Sequence, residues 1–379
     1  MADVAAAMVQ RGWRVIVMTA DRGYDDPRVR YPARETIDGV DVRRLPLSSF
    51  GKGSFLIRLA GGLSFVAQVI ARGLFLGPVH AILVSTSPPM ASLAAIVVGR
   101  LRRAPIKYWV MDLNPDQAVA LGVVRQGSLA VRLLDRLNTW ILARAADVIV
   151  LDRFMAERVI RKLDVGRKLA IVPPWPHEDH LEPVAHAENP FRREHGLNGK
   201  LVVMYSGNHG PSNPLGTVLQ AAVRLRDDPR ILFLFVGGAV GKQEVEAIAS
   251  PNVRSLPYQP LTRLRYSLSA ADVHLVTLGD DVVGMVHPCK VYGALAVARP
   301  VVLIGPEQSH VGDIVRDGGV GWRISHGDVD GAVGLFQALA HGGSAPLEAR
   351  GARARDLIRE RLSEAALCGR LCDILERGT

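Results

Sequence analysis

Short runs of β-branched and other apolar residues alternate with longer segments of helical period along the whole chain, and this alternation restricts the fold more than any other feature of the sequence. Strands that are apolar on both faces and separated by helices build parallel sheets covered on both sides. In the first half the runs 14–19, 40–44, 81–85, 106–111, 148–151 and 169–172 read as strands, with helices over 92–102 and 129–144. The second half repeats the scheme at 201–205, 231–236, 253–256, 273–278, 300–304 and 322–324. The expected fold class is α/β, with two doubly wound, Rossmann-like domains.

At 379 residues the chain exceeds what one hydrophobic core covers, which supports the division. The segment Pro173-Pro174-Trp175-Pro176-His177-Glu178-Asp179-His180 has no apolar period, and its prolines stop helices and ladders. The expected organisation is a first domain with its linker over 1–185, a second domain over 186–360 and a C-terminal helix over 361–379 that packs back toward the first. Open parallel sheets bind ligands beyond the carboxyl ends of their strands, so the expected site is a cleft between the two sheets.

The net charge of +9 is unevenly distributed: residues 1–185 hold 25 basic and 17 acidic side chains, a net +8, against 21 and 20 in the remainder. A positive field of this kind suits an anionic partner, either a phosphorylated ligand or a membrane surface. With 6% aromatic residues and no zinc-finger or RNA-binding signature, nucleic acid is not the expected partner. Cys289, Cys368 and Cys372 form no CxxC pair, so neither a disulfide framework nor a zinc site is indicated, and a reducing cytoplasm fits. The cluster His177-Glu178-Asp179-His180 lacks zincin spacing, and no metal is expected there. The apolar tract 55–83 is broken by Arg58, Gln68, Arg72 and Pro78, too early for a membrane span. Arg58, Arg72, Arg100, Arg102, Arg103 and Lys107 flank apolar helices, so reversible docking on an anionic membrane is expected.

Four segments of the second half carry a resemblance: SGNHGPSNPLGTVLQAA (206–222), ILFLFVGG (231–238), NVRSLPYQPLTRLRYSLSAADVHLVTL (252–278) and HPCKVYGALAVARPVV (287–302). They resemble the nucleotide-binding domain of retaining GT-B glycosyltransferases. TSPP (86–89), WVMDLNPDQAVALGVV (109–124) and RAADVIVLDRFMAERV (144–159) are similar, in the same order, to the family-four branch of bacterial exopolysaccharide and O-antigen assembly. The resemblance implies transfer of a sugar from a nucleoside-diphosphate donor to a hydroxyl of a lipid-linked or polysaccharide acceptor, with retention. It implies no cofactor beyond the donor as co-substrate, and a place at the inner face of the cytoplasmic membrane.

The residues themselves agree with a donor site in the second half. Pro288, Cys289 and Lys290 read as a helix start, where free amides and the Lys290 charge hold an anion. Gly207 and Asn208 follow one strand and Gly237 and Gly238 end another, where small residues let backbone approach a phosphate. The resemblance places Tyr258 and Gln259 against the donor base. Gly237 to Gly241 with Lys242 does not match an ATPase loop, because the spacing is short and Gln243 follows. The family's paired glutamates align near Met285 and on Gly293, and no glutamate stands between Glu246 and Glu307, so Lys290 and Tyr292 are the available compensation. In the first half Asp112 follows a strand and is the catalytic candidate, orienting the acceptor or taking its proton; capping of the next helix is the alternative. Two other readings stay open: a nucleotide-sugar epimerase of the same fold, and a catalytically inactive scaffold in a polysaccharide-assembly complex.

The chain opens on an Ala-rich helical pattern, 2–11, and not on a strand. The expectation is that the first strand of the N-terminal domain, with its Gly-rich loop, is missing here and belongs to a segment upstream of Met1.

Overall fold

The computed structural model describes residues 1–23, 28–48, 55–88, 90–175 and 182–378. The chain forms two compact units, Met1–Pro173 with Ala365–Thr379, and Pro174–Glu364.

The first unit runs α1 (Ala2–Gln10), β1 (Ile16–Ala20), β2 (Arg34–Ile37), β3 (Val40–Leu45), α2 (Phe55–Leu74), β4 (Ile82–Ser85), α3 (Ala91–Arg102), β5 (Ile106–Trp109), α4 (Asp116–Ala120), α5 (Leu129–Arg144), β6 (Asp147–Val150), α6 (Arg153–Lys162) and β7 (Leu169–Ile171). Its strands form two sheets, β1-β3-β2 and the parallel β4-β5-β6-β7. Strand β2 pairs antiparallel with β3 through a tight turn at Asp38 and Gly39, both of positive φ. Helix α1 lays Ala5 and Val9 on Val40, Val42, Val15 and Val17. Side-chain caps start two helices: Ser128 accepts from the Val131 amide of α5, and Asp152 from the Met155 amide of α6.

The C-terminal residues 365–379 belong to this unit and tie its parts together. Arg11 donates to Asp373 and Glu376 at 2.7 and 2.8 Å, and the Trp13 indole donates to Glu376 at 2.8 Å. Lys107 of β5 is wholly buried, its Nζ 2.7 Å from Asp147 and 2.6 Å from the Arg377 carbonyl. This corrects the expectation that Lys107 faces a membrane. Arg72 and Arg102 are also partly occupied, donating to the carbonyls of Arg44 and Leu74. The side chain of Arg58 lies outside the described residues, as does the cluster His177-Glu178-Asp179-His180.

Strand alternation leaves one side of β1 without a ladder. The Val15 carbonyl and the Asp21 amide bond β3, so the odd residues face that strand, and Ile16, Met18 and Ala20 turn their backbone groups the other way. In β4 the Ile82 amide bonds Pro105, which turns Leu83 and Ser85 away from β5 in the same manner. Among the described residues no strand pairs with either side. At the amino ends of these strands Trp13 and His80 meet edge to face, with ring centroids 5.7 Å apart. Native-state hydrogen exchange of this chain is therefore expected to be faster at Ile16, Met18 and Ala20 than at Val17 and Thr19, by roughly a hundredfold. Equal protection along β1 would show that its outer edge is paired.

The second unit contains α7 (Pro190–Glu194), β8 (Leu201–Asn208), α8 (Gly216–Arg224), β9 (Ile231–Gly238), α9 (Lys242–Glu246), β10 (Val253–Leu256), α10 (Leu261–Ser269), β11 (Val273–Thr277), α11 (Lys290–Ala296), β12 (Val301–Ile304), α12 (His310–Gly318), β13 (Gly321–Ile324), α13 (Val329–His341) and α14 (Ala345–Arg361), before α15 (Glu364–Glu376). Its six strands are all parallel, in the order β10-β9-β8-β11-β12-β13. Alternate residues feed two cores: Val203, Tyr205, Phe233 and Phe235 pack with α8 and α13, and Val202, Met204, Leu232 and Leu234 pack with Phe191 and Ala270. The strand order reverses direction between β8 and β11, and such a switch opens a crevice at the carboxyl ends of the strands.

Candidate functional site

Beyond the carboxyl end of β8 lies a cavity of about 300 Å³, lined among others by Trp175, Ser206, Gly207, Tyr258, Gln259, Cys289, Lys290, Tyr292 and Gly293. The backbone makes the room. Gly207 and Gly237 sit opposite each other in the β8–β9 ladder with φ of +137° and +143°. A Cβ on Gly237 would stand 2.0 Å from the Gly207 carbonyl oxygen, so no other residue fits. A Cβ on Gly238 would meet the Tyr258 ring at 3.1 Å, which shows how closely that exposed ring covers the strand end. Asn208 is exposed, and its carbonyl accepts from the Tyr205 hydroxyl at 2.7 Å.

Lys290 is the charge of this cavity. Its ammonium donates to the Tyr205 hydroxyl and, at 3.2 Å, to Asn213 Oδ1, and it lies 4.1 Å from the centre of the Tyr205 ring. Burial raises the Tyr205 phenol above its ordinary pKa, so that partner stays neutral. No ion pair to a carboxylate is formed by Lys290 among the described residues. Burial accordingly pushes the Lys290 ammonium down to about 7. A half-buried cation facing a cavity with only neutral partners is arranged for an anion that arrives from outside.

The helix start differs in detail from the sequence reading. The first helical residue is Lys290, with Cys289 as N-cap, and Pro288 precedes both. The amides of Cys289, Val291 and Tyr292 already donate to the carbonyls of His287, Pro288 and Cys289. The ammonium of Lys290 is therefore the main attraction, and the helix amides contribute less than the sequence implied.

The Tyr292 hydroxyl lies between two imidazoles, 2.7 Å from His287 Nε2 and 2.9 Å from His310 Nε2. One ring accepts its proton and the other donates to its oxygen, so this hydroxyl is engaged by protein groups. Gly293 leaves the floor of the cavity bare beside Leu268, with 3.4 Å from an added Cβ to Leu268 Cδ1. The side-chain amide of Gln259 donates to its own neighbour, the Pro257 carbonyl, at 3.0 Å.

Sequence reasoning missed Tyr205 and His209 as parts of this arrangement. His209 is buried, with Nδ1 3.0 Å from the Gly238 carbonyl, and a Cβ on Gly241 would strike its carbonyl oxygen at 2.8 Å. It holds the two strand-end loops together, and burial lowers its pKa so that the ring is neutral. The signal for Tyr205 was its position as the last wholly buried residue before Gly207, but its contact with Lys290 spans 85 residues.

Asp112 belongs to the first unit, four residues beyond Tyr108 of β5. Its amide donates to Thr86 Oγ1 at 3.2 Å. The N-cap position of α4 is held by Pro115, three residues further on. Lys242 pairs with Glu246 at 3.4 Å, a surface contact away from the cavity lining.

The backbone superposes on known structures over nearly its whole length. Sucrose-phosphate synthase of Thermosynechococcus elongatus superposes with a TM-score of 0.75 over 98% of this chain and 90% of its own, at 18% identity. The fold is GT-B. A second GT-B structure, HepE of Anabaena in complex with UDP and glucose, matches with a TM-score of 0.72 over 98% of this chain and 94% of its own, at 13% identity. Residues 1–175 match the profile of the glycosyl transferase 4-like domain. In sequence the GT-B chain is 28% identical over 227 residues to the probable glycosyltransferase WbjE of Pseudomonas aeruginosa. That match covers 58% of this chain and 56% of the length of WbjE.

Proposed function

We propose that this protein is a glycosyltransferase that moves a sugar from a nucleoside-diphosphate donor to a hydroxyl of a lipid-linked or growing glycan acceptor, with retention. The observation that carries the reading is the Lys290 ammonium, held at the carboxyl end of β8 by the neutral Tyr205 and Asn213 and facing a cavity beside Gly207. Similarity to WbjE and to the glycosyl transferase 4-like domain supports the reaction class, and the UDP bound in HepE supports the ligand class.

In this mechanism Lys290 stabilises charge that develops on the departing diphosphate, an interaction stronger in the transition state than in the donor complex. Gly207, Gly237 and Gly238 let the phosphates approach backbone, and Tyr258 offers a ring for the base. Asp112 orients the acceptor hydroxyl or removes its proton. A front-face displacement needs no carboxylate nucleophile, and no acidic side chain is part of the cavity lining among the described residues.

The test is a panel of nucleoside diphosphates and their sugars, read by thermal stabilisation and by acceptor-dependent release of the nucleotide. Expected is a rise in melting temperature with at least one nucleoside diphosphate, since a ligand that binds the native state stabilises it. No stabilisation by any of them would favour the inactive scaffold, and turnover without an acceptor would favour the epimerase.

A further inference from the structure

Helix α5 carries a surface stripe that its own packing does not explain. Leu129, Leu133, Arg136 and Trp140 recur at i, i+4, i+7 and i+11, which places them on one line of the helix. The three apolar members are 73%, 54% and 41% exposed. Arg132 and Arg144 flank them and are exposed, the Arg144 guanidinium 5.9 Å from the Trp140 ring. The opposite face, Val131, Ile141 and Leu142, is buried and fastens the helix to the unit. The only acid of α5, Asp135, is drawn aside by Lys162 at 2.6 Å.

The surroundings have the same character. Helix α3 packs against both α2 and α5, so the three form one layer, and α2 adds the exposed Leu59 and Leu63. Between Asp41 and Asp112 the sequence holds nine basic residues and no acidic one. Apolar groups this exposed on a folded chain mark an interaction surface. A second copy of the chain is a poor occupant, because a two-fold contact would set these arginines against themselves. Leucines and a tryptophan with arginines on either side match a bilayer interface, where the apolar groups enter the headgroup boundary and guanidiniums pair with phosphates.

We propose that the outer stripe of α5 docks this protein on an anionic lipid surface, with Leu129, Leu133 and Trp140 inserted and Arg132, Arg136 and Arg144 on the headgroups. This locates the attachment on α5 and not on the basic residues first singled out in the sequence. It stands independently of the donor site, which lies in the other unit.

The experiment is flotation of the full chain with vesicles of phosphatidylcholine alone and with added phosphatidylglycerol, at low and high salt. Expected is binding to the anionic vesicles at low salt, with little to the neutral ones. Leu133→Gln with Trp140→Gln is expected to lower partition by roughly tenfold or more. Arg132→Gln with Arg136→Gln is expected to lower it by roughly ten- to thirtyfold on anionic vesicles, about fivefold for each arginine. Because these side chains are exposed, melting temperature and circular dichroism should match wild type, which separates lost docking from lost folding. Wild-type partition in both variants, or equal binding to neutral and anionic vesicles, overturns the proposal. So does a dimer in light scattering that the apolar variant abolishes, because the stripe would then be a contact between copies.

Discussion

Lys290→Ala is expected to weaken nucleoside-diphosphate binding by about 1.5 to 3 kcal/mol, or roughly ten- to a hundredfold. The ammonium is the only Lys or Arg group in the cavity lining among the described residues, burial keeps the His274 ring of the lining neutral, and the partners Tyr205 and Asn213 are neutral, so nothing in the lining replaces its charge. Turnover should fall further than affinity, because charge on the leaving diphosphate grows toward the transition state. Isothermal titration and initial rates with the same donor check both. Unchanged affinity in a folded variant removes Lys290 from the phosphate site.

Gly237→Ala is expected to cost roughly 2 to 4 kcal/mol of stability and to abolish donor binding. The φ of +143° disfavours any side chain, and the new Cβ would stand 2.0 Å from the Gly207 carbonyl oxygen in the neighbouring strand. Relief requires the β8 and β9 ends to part, which displaces Gly207 from its place beside Lys290. The melting temperature should drop by roughly 5 to 15 °C. Gly216→Ala is the control: it begins a helix of the same unit, has no atom within 4 Å of an added Cβ, and should be neutral or slightly stabilising. A Gly237→Ala protein that melts and binds like wild type contradicts this geometry.

The α/β class was legible because a fully buried parallel strand must be apolar on both faces, and runs such as Val301–Ile304 and Val273–Thr277 have no other use. Strand β2, RETI, escaped notice because three of its four residues are exposed and it pairs at an edge, although the Asp38-Gly39 turn beside it was a hairpin signal. Glycines at strand ends were legible as close-approach positions, since only backbone freedom explains Gly207 and Gly237 there. Long-range partners were not. Lys107 looks like any basic residue next to an apolar run until Asp147 and the Arg377 carbonyl are brought to it across 40 and 270 residues. Likewise Tyr292 was offered with Lys290 as compensation for the absent glutamates, and only the fold supplies His287 and His310 on either side of its hydroxyl.

Whether Lys290 meets a diphosphate is tested most directly by the pH dependence of binding. In the free protein burial holds this ammonium at about 7, and a bound diphosphate favours the charged form and raises it. Binding thus takes up a proton between the two values. The affinity it adds is full below about pH 7 and is lost as pH rises through the value in the complex. Titration of UDP or GDP into wild type and Lys290→Met across this range, in buffers of different ionisation enthalpy, measures both the affinity and the proton. Expected is an affinity that declines above pH ~7 with uptake of up to one proton in wild type, and neither in Lys290→Met. The same profile in both proteins would contradict it.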